Sequence, residues 1–110
     1  MTISNAELLK TIDARRKKWC TALESGKYKQ TRGRLQSNRG TYCVLGVAQE
    51  LFKLKWEPDG HLTDRSLAFL GIDLDQYNEL VRRNDRSRWS FTQLAELIRS
   101  FDVMKWKFKK

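Results

Sequence analysis

Apolar residues recur at helical spacing along most of this chain. Leu8, Leu9, Ile12, Trp19, Ala22 and Leu23 step by three and four, opened by the capping-box form Ser4-x-x-Glu7 and closed by Gly26, which predicts a helix over about 5–25. Val44, Leu45, Val47, Ala48, Leu51 and Phe52 cover most of a helical circumference, the mark of a central, buried helix. Gly46 in its middle points to close approach of another backbone, since an interior glycine costs about 1 kcal/mol against alanine. Leu62, Leu67, Phe69 and Leu70 predict a short helix stopped by Gly71. Asp73-x-x-Gln76 caps a stripe of Leu74, Tyr77, Leu80 and Val81, and Ser90-x-x-Gln93 caps one of Phe91, Leu94, Ala95, Leu97, Ile98 and Phe101.

The pattern changes between Tyr28 and Thr41. Gly33 and Gly40 break helix, and Ser37-Asn38-Arg39-Gly40 has turn chemistry, so a small β-hairpin is expected there, with arms near 32–36 and 40–43. Trp56 to His61, with Pro58 and Gly60, reads as a connector. The expected fold is mainly α, four or five short helices around the 44–52 helix with one hairpin after the first helix, an α+β arrangement being the alternative. Residues 1–104 form a single domain, and 105–110 a basic tail in which Trp106 and Phe108 alternate with lysines.

At 110 residues, 40% hydrophobic and with one proline, the chain has the length and composition of one folded domain, not of a disordered segment. No apolar run approaches the roughly 20 residues that cross a bilayer, and the start lacks a signal-peptide core, so a cytoplasmic protein with no membrane partner is expected. Cys20 and Cys43 are expected to be reduced. With His61 they make three scattered soft ligands, too few for a structural zinc site, and no metal or cofactor is expected.

Charge narrows the choice of partner. The net charge is +9, divided as −1 over residues 1–9, +8 over 10–39, −4 over 40–81 and +6 over 82–110. Two basic blocks flanking an acidic middle suit a polyanion, although solvated helix faces account for basic residues equally well. Tyr28, Gln30, Arg32, Arg34 and Arg39, on or beside the expected hairpin, are candidates to hold a phosphate backbone while Tyr28 stacks on a base; the alternative packs Tyr28 inward. Arg82, Arg83, Arg86 and Arg88 form a second candidate anion site, just ahead of the N-terminus of the last helix. Asn84-Asp85 between them reads first as loop structure.

Trp56, Trp89 and Trp106 are candidate anchors for a protein partner. Cys43, at the start of the central helix, is a candidate nucleophile or, more in keeping with its type, a buried apolar side chain. Asp59, His61, Asp64 and Asp85 match no recognised catalytic spacing, which leaves a small hydrolase or nuclease as the third reading after a nucleic-acid or nucleotide binder and a protein inhibitor.

Trp19-x-x-Ala22-Leu23-x-Ser25-Gly26-x-Tyr28-x-Gln30-x-x-Gly33-x-Leu35, Tyr42-Cys43-x-Leu45-Gly46-Val47, Asn84-Asp85 and Ser90-Phe91-x-x-Leu94-Ala95-x-x-Ile98 occur in that order. In these motifs the chain resembles a group of small bacteriophage and prophage proteins of undefined function. That group often has a Cys-Cys pair where this chain has Tyr42-Cys43. The resemblance implies a phage-encoded protein of the bacterial host cytoplasm that modulates host machinery or a defence system by stoichiometric binding.

Overall fold

The computed structural model describes residues 5–32, 40–58 and 61–101. Five helices follow one another: α1 (Asn5–Glu24), α2 (Val44–Phe52), α3 (Asp64–Leu70), α4 (Leu74–Asp85) and α5 (Phe91–Ser100). A pair of two-residue strands, β1 (Lys29–Gln30) and β2 (Thr41–Tyr42), lies between α1 and α2. The protein is thus mainly α, with one small sheet after the first helix. Ser4 of the first expected cap, the Ser37 to Arg39 turn, Gly33, Asp59, Gly60 and the 105–110 tail lie outside the described residues.

The helices start where the sequence offers side-chain oxygens to free N–H groups. Asp73 with Gln76 and Ser90 with Gln93 both close complete capping boxes, and the Thr63 hydroxyl accepts from Ser66 N. α1 packs along α5 and also against α2 and α3, and α4 leans on both α2 and α5. Val44 to Ala48 are all buried, so α2 is the central element its apolar circumference predicted. Trp19 is enclosed and its indole N–H donates to Val44 O at 3.0 Å, joining α1 to the start of α2.

The two strands differ from the expected hairpin. They are parallel, with Lys29 opposite Thr41 and Gln30 opposite Tyr42, and Thr31 N donates to Tyr42 O at 2.7 Å. Parallel strands cannot be joined by the tight two-residue turn of a hairpin. The direction follows from what lies beyond both strand ends: Thr31 O after β1 and Val44 N after β2 bond the same side chain, Asn84. Two strands that must deliver their C-terminal ends to one point run side by side. Antiparallel pairing occurs instead in the connector, where Trp56 bridges Leu62, Glu57 N donates to His61 O and Thr63 N to Lys55 O.

A buried arginine completes the core. Ile12, Arg16, Trp19, Cys20 and Leu23 make one continuous buried stripe on α1. Arg16 is only 5% exposed, and its guanidinium donates to Leu70 O, Gly71 O and Phe101 O, the carbonyls that end α3 and α5. A cation at two helix C-termini is electrostatically favourable and satisfies oxygens that the helices leave unpaired. Arg15 beside it lies over the Phe69 ring, 3.7 Å from the centroid, and bonds Phe69 O.

Candidate polyanion-binding face

Asn84 is fully buried and hydrogen-bonded at both ends of its amide. Its Oδ1 accepts from Gln30 Nε2 at 2.9 Å and from Val44 N at 3.3 Å, while Nδ2 donates to Thr31 O at 2.9 Å and to Asp85 Oδ1 at 2.8 Å. Gln30 Nε2 also donates to Trp89 O at 2.8 Å. One asparagine therefore fastens β1, the start of α2 and the end of α4 together; Asn84 and Asp85 serve the fold, but as the last residues of α4 and not as the loop expected there. Gln30, expected as a ligand contact, has its amide N–H₂ group turned inward to this hub.

The hub brings the two basic blocks to one place. Arg32 directs its guanidinium at Arg88 O, 3.4 Å away, so the end of the first block lies against the loop of the second. That loop doubles back after α4, with Ser87 N donating to Arg82 O and Trp89 N to Arg83 O, and Arg88 takes a left-handed backbone (φ 58°) to make the turn. Lys27, Lys29, Arg32, Arg86 and Arg88 are exposed. Among the described residues Arg32, Arg86 and Arg88 have no acidic partner. Arg34 and Arg39 lie outside the described residues.

Arg82 and Arg83 differ from their neighbours. Both reach back to Glu79, Arg83 Nε at 2.8 Å and Arg82 Nη2 at 2.5 Å, and these hydrogen bonds, Arg83 first, hold the Glu79 carboxyl below its ordinary range. Arg83 also covers the Trp89 ring, 4.6 Å from its centroid. Tyr28 meets Tyr42 edge-on at 5.3 Å and packs against the core, which favours the inward alternative over the free base-stacking one. The N-terminus of α5 is already occupied by its own cap, Ser90 Oγ taking Gln93 N and Gln93 Oε1 taking Ser90 N, which leaves less of it for an anion than its position suggested.

The other candidates are scattered. Trp56 is 46% exposed on the connector hairpin, Trp89 is half-buried under Arg83, and Trp106 lies outside the described residues. Cys20 and Cys43 are both free and buried. Burial pushes each thiol up to about 11, and Cys43 Sγ serves as the cap of α2 by accepting from Gly46 N, so the nucleophile reading of Cys43 is not supported. His61 packs its ring toward Tyr77, and Asp85 accepts from Asn84. Among the described residues no three His, Cys, Asp or Glu side chains cluster as metal ligands, and no helix is long and apolar enough to cross a membrane.

The fold and this face define a small helical protein whose two basic segments meet around a buried amide hub. Residues 12–72, more than half of the chain, match the family described as Domain of unknown function (DUF8296), and the chain belongs to that family. The match includes Gln30, Thr31 and Val44 but ends before Asn84 and the arginine loop. No curated protein matches the chain, and no solved structure does.

Proposed function

We propose that this is a non-catalytic, phage-encoded protein of the bacterial host cytoplasm that binds DNA, RNA or a nucleotide signal through its basic face and thereby modulates host or defence machinery. The observation that carries the reading is the contact of Arg32 with the Arg88 loop, which unites two charged segments far apart in sequence. The net charge of +9 adds long-range attraction, and arginine forks suit phosphate oxygens. Phage origin and the cytoplasm rest on the motif resemblance.

Fluorescence anisotropy across a salt series, with labelled DNA, RNA and a mononucleotide, tests the binding. Affinity that falls as salt rises from 50 to 300 mM, with one of these ligands, is the expected result. Equal affinity throughout, or no binding, contradicts it. The 46% exposure of Trp56 favours a second reading, a protein partner anchored on that indole. A partner recovered from nuclease-treated lysate at moderate salt by the native protein, and lost with Trp56→Ser, would move this reading ahead.

A further inference from the structure

Resting on the reading of this face as a polyanion site, we infer that its ligand is the phosphate backbone of a nucleic-acid duplex, with Arg88 as a direct phosphate contact. Proteins that hold single strands combine basic grooves with aromatic rings on which unpaired bases stack. Here the aromatics bordering the face are engaged. Trp89 lies under the Arg83 guanidinium, Tyr28 and Tyr42 hold each other edge-on, and all three are partly buried. What the two segments expose is charge: Lys29 and Arg32 in one, Arg86 and Arg88 in the other. Such a surface gains most from the dense, regularly spaced phosphates of a duplex, whose bases are already stacked.

Arg88 stands out within it. Its left-handed backbone suits glycine better than a residue with a Cβ, and that conformation lets Trp89 N reach Arg83 O. The backbone requirement therefore does not explain an arginine here; an exposed positive charge on the loop whose carbonyl Arg32 contacts does. Its role in binding separates cleanly from its role in the fold, because Arg88→Gly keeps the turn and removes only the side chain.

The experiment compares 20-residue single strands with the matching DNA and RNA duplexes by anisotropy, for the native protein, Arg88→Gly, Arg86→Gln and the control Arg65→Ala on α3. The native protein is expected to bind a duplex at least about tenfold more tightly than either single strand, and the DNA and RNA arms decide which duplex. Arg88→Gly should leave the thermal midpoint unchanged or higher, weaken duplex binding about fivefold and lower the salt slope by about 0.9. Arg86→Gln should act in the same direction and Arg65→Ala should have no effect. Equal or tighter binding of a single strand overturns this inference while the polyanion reading survives. Unchanged affinity and slope in both Arg88→Gly and Arg86→Gln overturns it too, and no binding of any polymer overturns both readings.

Discussion

Asn84 has two donors and one carbonyl oxygen, and all of them are used inside the protein. Truncating it strands Gln30, Val44 N and Thr31 O at once, so Asn84→Ala should lower the unfolding free energy by about 3 kcal/mol in urea titration. Gln30→Ala, which removes one partner and keeps the hub, should lose about 1 kcal/mol. The buried thiols give a pH prediction. Folding raises Cys20 and Cys43 from an ordinary 9.0 to about 11, so the unfolded state loses its thiol protons first as pH rises. The stabilisation is complete below pH 9 and is lost between pH 9 and 11, and a Cys20→Ala/Cys43→Ala protein should show a shallower fall of stability over that window. The burial of Cys43 was legible in the sequence, because free cysteine favours burial. The burial of Arg16 is harder to read from residue type, which points arginine to solvent, although spacing of four from Ile12, three to Trp19 and four to Cys20 puts it on the buried stripe.

At the scale of elements, the ends of the helices were legible because short polar side chains and glycines mark them locally. Asp73, Ser90 and Gly71 each stand where the sequence pattern put them. Two glycines with the same left-handed backbone should nevertheless respond differently. Gly26 (φ +80°) faces open space, so Gly26→Ala should cost only the backbone penalty, about 1 kcal/mol. A Cβ at Gly71 (φ +71°) would collide with Ile12 Cγ2, and Gly71→Ala should cost about 3 kcal/mol by thermal or urea unfolding. Strand direction was not legible. A turn-rich segment between two β-prone runs reads locally as a hairpin, whereas the parallel pairing depends on Asn84, 54 residues beyond Gln30. Nothing in a local window carries that separation.

For the molecule as a whole, the uneven charge along the chain was evident from the sequence, but the meeting of its two basic ends was not. It required α4 to return its C-terminal loop to the strand that follows α1. The structure also sorts the arginines by role: Arg16 holds helix ends, Arg82 and Arg83 pair with Glu79, Arg99 clamps Glu24 across α1 and α5, and Arg32, Arg86 and Arg88 face solvent. The exposed Arg99 pair contributes little to stability, so Glu24→Gln should leave the thermal and urea midpoints nearly unchanged. The most direct test of one shared face is the dependence of polyanion affinity on salt for a variant carrying Arg32→Gln, Arg86→Gln and Arg88→Gln together. If the two segments form one phosphate-binding surface, the log–log slope falls by up to about 2.7, roughly 0.9 per lost contact, at an unchanged thermal midpoint. A slope equal to that of the native protein would contradict the account, because the charge brought together at this face would then not be the charge that binds.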